Sequence, residues 1–191
     1  MREWLLFRAF DFVGVAGLVG RHSCKVKLVN NGLVKATSGP LILQTNPKSG
    51  IGVWEAGPNG VLQVDAQLTN NGTVKATSGT VILANPNPNP NLPISGSGVW
   101  EATGPEGLLQ VSSKVTGPGT WRVNDPEAEI RIDNQTCVTG ALSMSAGTFS
   151  ANQKFITTGN LGMTGGTIFV GVNSTARFSG PAGYCGGGGS N

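Results

Sequence analysis

Chemistry needs clustered, unlike side chains, and this chain has one acid-rich patch: Asp125, Glu127, Glu129 and Asp133, interleaved with Arg122 and Arg131. Two carboxylates facing one cleft at a defined separation are the requirement for glycoside hydrolysis. Carboxylates that hold calcium beside a basic residue that removes a proton are what a polysaccharide lyase would use. In an extended strand Glu129, Arg131 and Asp133 share one face, so they have the ingredients for such a site. They also have the composition of a solvated ion-pair cluster, which is the commoner origin of interleaved charge.

Other reactive residues are scattered. The single His22 has no Gly-x-Ser-x-Gly elbow to serve. Cys24, Cys137 and Cys185 lack metal-ligand spacing. In an exported chain one pair could close a disulfide and leave an odd thiol; small buried or surface cysteines are the simpler reading. Asn71, Asn134 and Asn173 each begin an Asn-x-Ser/Thr acceptor pattern, as expected by chance in an Asn- and Thr-rich chain. Outward Thr73, Thr80, Thr120, Thr148 and Thr167 raise ice binding, but Val53, Val61, Leu108 and Glu129 interrupt the rows. No residue is assigned to catalysis, to a cofactor or to a metal.

The elements that would position these residues follow from composition and repetition. The 191 residues (19.6 kDa) include 30 glycines and only 12% charged residues. Helix formers are sparse, while Gly and Asn stand where turns would need them, so the chain reads as all-β. Its net charge of +3 comes from basic residues spread along the chain, which leaves no footprint for nucleic acid.

Gly-x-φ-x-φ modules, with φ apolar, recur throughout, and residues 30–43 (NNGLVKATSGPLIL) return almost verbatim as residues 70–83 (NNGTVKATSGTVIL). Aligned on glycine, a first column begins at Gly32, Gly52, Gly72, Gly98, Gly119, Gly140 and Gly159. A second begins at Gly39, Gly60, Gly79, Gly107, Ala128, Gly147 and Gly166. Steps near 20 residues mark a solenoid. Two-residue alternation places Val34, Trp54, Val74, Trp100, Trp121, Leu142 and Leu161 inward on the first column, followed two residues on by Ala36, Ala56, Ala76, Ala102, Val123, Met144 and Met163. The second column directs Leu41 to Ile168, then Leu43 to Val170, into the same interior. Leu28, Leu68, Ile94, Val115 and Phe155 give a third side, from which Lys48 and Thr136 depart. Three sides and about seven coils of about 20 residues describe a right-handed parallel β-helix.

Outward residues test that register. On the first column they read Lys35, Glu55, Lys75, Glu101 and Arg122, a ladder of alternating sign in which each opposite pair contributes roughly 0.2–1 kcal/mol. Its simplest role is structural.

Three stretches lie outside the pattern. Residues 1–24 are apolar and aromatic but broken by Arg8 and Asp11. They read as a degenerate export signal, as a capping helix over the end of the array, or as mistranslated upstream sequence, and they are too interrupted for a confident membrane span. Residues 85–97 (NPNPNPNLPISGS) loop out between coils, and residues 181–191 form a flexible Gly-rich tail after residues 25–180 of β-helix. The last coil has no apolar segment to cover it, so the expectation is a piece of a longer polypeptide or assembly.

Modules such as Gly72-Thr73-Val74, Gly79-Thr80-Val81 and Gly166-Thr167-Ile168 resemble the autotransporter-associated β-strand repeats and related repeats of bacterial surface proteins. The resemblance spans about residues 32–178 and implies an exported, stalk-like or adhesive segment at the cell surface or outside the cell. Surface glycans or other proteins would be its partners. The chain lacks the clear signal and the C-terminal membrane barrel or anchor of such proteins. The alternative is a carbohydrate-active module, a lyase or a glycan binder, using the outer face of residues 122–133.

Overall fold

The computed structural model describes residues 10–12, 15–19, 22–25, 27–84, 94–134, 136–138, 140–157 and 159–178. All regular structure there is β-strand, paired in parallel. The strands stack on three faces. The first face takes Leu33 and its successors, then Val53–Ala56, Thr73–Thr77, Val99–Thr103, Thr120–Val123, Leu142–Met144 and Leu161–Met163. Each pairs with the strand one coil later, so the seven first-column strands stack in the expected order. The second face runs through Thr80–Leu83, Leu108–Val111, Glu129–Ile132, Thr148–Ala151 and Thr167–Val170. The third continues through Leu28–Asn30, Ile94–Ser95, Val115–Gly117, Thr136–Val138, Phe155–Thr157 and Ala176–Phe178. This is the parallel β-helix expected from the columns.

The core is a set of ladders. Trp54, Trp100, Trp121, Leu62, Leu109, Ile130 and Phe149 are among the side chains with essentially no exposure. Ala36, Ala56, Ala76 and Ala102 lie in register beside the first-face column, which leaves room for the tryptophan rings in a narrow interior. Trp100 stacks on Trp121 with centroids 5.7 Å apart, and Phe155 meets Trp121, Phe149 and Phe178. Burial lapses in the last coil: Leu161, Met163 and Ile168 are half-buried and Val170 is exposed.

A buried polar corner sets a longer period. Asn30 and Asn70 end third-face strands with no exposure. Each accepts a bond at Oδ1 from the amide two residues on, Gly32 at 3.0 Å and Gly72 at 3.1 Å. Each donates from Nδ2 to a carbonyl of the next coil, Val53 at 2.8 Å and Val99 at 3.0 Å. One amide thereby satisfies two coils, as a buried polar group must. The coil above carries glycine at the same corner. A Cβ on Gly50 would fall 1.9 Å from the Asn30 carbonyl oxygen, and one on Gly96 1.8 Å from that of Asn70. Asn and Gly therefore alternate through Asn30, Gly50, Asn70 and Gly96, a two-coil repeat that ends where Gly117 stands next to Gly96. Thr157 takes the Asn role near the C-terminal end, bonding the Gly140 carbonyl and the Gly159 amide.

Lys48 departs from the third-side column in type, but not in place. It lies in register between Leu28 and Leu68 and is fully buried. The chain bulges between Thr45 and Lys48, and Pro47 has no amide to offer the ladder. The Lys48 ammonium donates to the carbonyls of Gln44 and Asn46 in that bulge. Its stem fills the core while its head satisfies the bulge.

Within residues 1–24 the described part is strand, not a capping helix. Phe10–Phe12, Val15–Val19 and His22–Cys24 pair with Leu28–Asn30, with residues 33–38 and with residues 41–43, one on each face. Asp11 stands mid-strand between two phenylalanines, and an existing edge templates the three short strands. Residues 1–9, most of the Asn-Pro insertion (85–93) and the Gly-rich tail (181–191) lie outside the described residues.

The outer charge ladder forms in register: Lys35, Glu55, Lys75, Glu101 and Arg122 stand opposite one another from coil to coil. Lys35 and Glu55 are 2.8 Å apart and partly shielded. Replacing Glu55→Lys would set three like charges in a row, so we expect a loss of about 1–2 kcal/mol. Urea denaturation should show that loss shrinking as salt is raised.

Candidate functional site

The acid-rich patch occupies a corner between two faces. Arg122 projects from the first-face strand Thr120–Val123 and is exposed. Asp125 and Glu127 belong to the turn that follows. There Asp125 caps the turn, its Oδ1 accepting from the Glu127 amide at 3.1 Å and its carbonyl from the Ala128 amide at 3.1 Å, the Asx arrangement that favours aspartate at such positions. Glu129 and Arg131 point outward from the second-face strand, with Asp133 just past its end. The fold thus brings Glu129, Arg131 and Asp133 together on one flat face. Arg122, Asp125 and Glu127 lie around the corner from them.

Asp133 is the most heavily bonded of the set. Gln110, one coil earlier, donates to its Oδ2 at 2.8 Å, and Asn152, one coil later, donates to its Oδ1 at 2.9 Å. Arg131 Nε lies 3.7 Å from Oδ2, an ion pair too long for a hydrogen bond, and its guanidinium reaches Gln110 Oε1 at 3.4 Å. Both carboxylate oxygens are engaged by side chains of neighbouring coils. Such a carboxylate clamps three coils together. Gln63 and Asp65 make a related contact earlier in the array, at 2.8 and 2.9 Å. This amide–carboxylate ladder escaped the sequence reading, because Gln110 and Asn152 lie 23 and 19 residues from Asp133. The recurrence of Gln at matched second-column positions was the available signal.

Among the described residues no three of His, Cys, Asp and Glu come together to hold a metal ion. His22 stands opposite Leu41 on the second face. Cys24 stands opposite Leu43, and Cys137 between Thr116 and Ile156 on the third face. The intervening coils separate Cys24 from Cys137 by several steps of ~4.8 Å, beyond the reach of a disulfide. Cys185 lies outside the described residues. Asn71, Asn134 and Asn173 are exposed at corners and turns. No helix among the described residues is long and apolar enough to cross a membrane, which does not bear on crossing by strands.

Compared with protein-family models, with characterised proteins and with solved structures, the chain finds no match.

Proposed function

We propose that the chain is a structural or adhesive β-helical segment of a bacterial surface or secreted protein, with no catalytic activity of its own. The observation that carries this reading is the uninterrupted ladder core, from Leu28 to Phe155, closed by backbone bonds between every pair of coils. Parallel strands bonded along one axis resist bending and stretching, while the outer faces are available to make contacts. Side chains that could have been reactive are instead tied across coils, Lys35 to Glu55 and Asp133 to Gln110 and Asn152. The resemblance to surface-protein repeats supports the same reading.

One observation favours the carbohydrate-active alternative. Gln110, Arg131, Asp133 and Asn152 form a continuous polar strip along the axis, a surface on which an extended glycan would find regularly spaced donors and acceptors. A glycan-array and polysaccharide-depolymerisation screen on the purified chain separates the two. We expect no cleavage, and no binding that Glu129→Ala or Arg131→Ala removes. Cleavage, or specific binding lost in either variant, would replace the structural reading with the carbohydrate one.

A further inference from the structure

Basic residues scattered along the chain gather on one side of the coil. Lys27, Lys114 and Lys154 each stand one residue before an inward side chain of the third face, Leu28, Val115 and Phe155. They therefore share one outward row. Pairings run from Leu28 through Lys48, Leu68, Ile94, Val115 and Thr136 to Phe155. Lys114 is thus four coil steps from Lys27, and Lys154 two steps further, about 19 and 10 Å at ~4.8 Å per step. Arg177 belongs to the next coil, in register with Ile156. All four are exposed, and among the described residues none of them is in an ion pair.

Acids are gathered elsewhere. Glu106, Asp125 and Glu127 sit in turns that join the first face to the second, and Glu129 begins a second-face strand. In a three-sided coil that corner is the one opposite the third face. Asp11, paired with Val29, is the one carboxylate within the described third-face strands. Asp65 and Asp133, where the second face ends, are engaged by Gln63 and by Gln110 and Asn152. The rod has a basic side and an acidic edge.

A long, narrow, anionic partner fits this side. The third-face strands are two or three residues long, about 10 Å across, and seven coil steps carry the face about 34 Å along the axis. Beside the basic row runs a row of hydroxyls, Ser49, Thr69, Ser95 and Thr116, paired in register, with donors and acceptors for sugar hydroxyls. The exposed large apolar side chains, Ile51, Phe169, Val170 and Val172, lie off these strands, so the face has no wedge to enter a bilayer. Phe155 and Phe178 pack into the core, and among the described side chains of the face no aromatic ring is exposed for a base to stack on.

We propose that the third face binds an extended acidic polysaccharide, its chain along the rod axis and its acid groups on Lys27, Lys114, Lys154 and Arg177. The proposal rests on the adhesive side of the function proposed above and names its ligand. Its failure leaves a structural rod standing, whereas cleavage, or binding lost in Glu129→Ala or Arg131→Ala, would overturn the function proposed above.

Isothermal titration calorimetry of the full chain with polygalacturonate, heparin and neutral dextran tests it. Binding of polygalacturonate identifies carboxylate as the ligand group and binding of heparin identifies sulfate; either supports the proposal, and dextran should not bind. Raising salt from about 50 to about 200 mM should weaken binding roughly tenfold or more, as counterion release requires. Lys114→Gln combined with Lys154→Gln should weaken it roughly tenfold or more with an unchanged circular dichroism spectrum. Lys75→Gln, which removes a positive charge from the first face, should leave it intact. No binding of either acidic polymer, binding of dextran, binding indifferent to the double variant, or an equal loss in Lys75→Gln would each overturn the proposal. So would tighter binding of single-stranded DNA or of phosphatidylserine vesicles.

Discussion

Trp121→Ala should lower stability by about 3–5 kcal/mol, the range for deleting a large aromatic side chain from a core. The ring has no exposure, stacks on Trp100 at 5.7 Å and meets Phe155 edge-on at 6.2 Å. Most cores shrink part-way into such a cavity. This one resists, because backbone ladders hold the coils above and below at fixed spacing. The loss should therefore fall toward the upper end of the range. Trp121→Phe should cost far less, since Trp121 Nε1 is buried without a hydrogen-bond partner and no bond is lost with it. Urea unfolding followed by far-ultraviolet circular dichroism gives both values.

Gly96→Ala should destabilise by more than about 3 kcal/mol, above the usual cost of overpacking. Gly96 has φ +140°, and its added Cβ would lie 1.8 Å from the Asn70 carbonyl oxygen and 2.7 Å from the Asn70 amide nitrogen. These are backbone atoms, so no rotamer change relieves the overlap; two coils must part. Parting them also stretches the bond from Asn70 Nδ2 to the Val99 carbonyl. Gly162→Ala is the contrasting case, with nothing within 4 Å of its Cβ, and should stay within roughly ±0.5 kcal/mol of the parent. Thermal melts of the two variants beside the parent decide the matter.

Much of this architecture was legible in the sequence because a β-helix writes its structure into columns. Glycine spacing and two-residue alternation locate the first two faces, and the Lys–Glu alternation fixes the register of the first without reference to the core. What stayed hidden depended on contacts between coils. Residues 52–64 (GVWEAGPNGVLQV) return as residues 98–111 (GVWEATGPEGLLQV), so two kinds of coil alternate. The alternation becomes intelligible only once Asn30 is seen to reach over to the coil of Val53. Lys48 read as an irregularity because residue type says nothing about a bulge that supplies its ammonium with carbonyls. The N-terminal strands were obscured by Asp11 and by the missing Gly-x-φ-x-φ spacing. In the acid-rich patch, chain proximity suggested one cluster, whereas the corner at Asp125 divides it and Asp133 finds its partners in other coils.

Each coil advances the chain by one strand spacing along a single axis. Spin labels placed at Lys35 and Ser143, on the outward first-face column, measure it directly. The pairings run from Lys35 through Glu55, Lys75, Glu101 and Arg122 to Ser143, five steps of ~4.8 Å, or about 24 Å between backbones. Pulsed dipolar spectroscopy should return one narrow distribution near that distance, broadened by the label linkers. A broad distribution, or a separation beyond about 40 Å, would contradict the stacked-coil account.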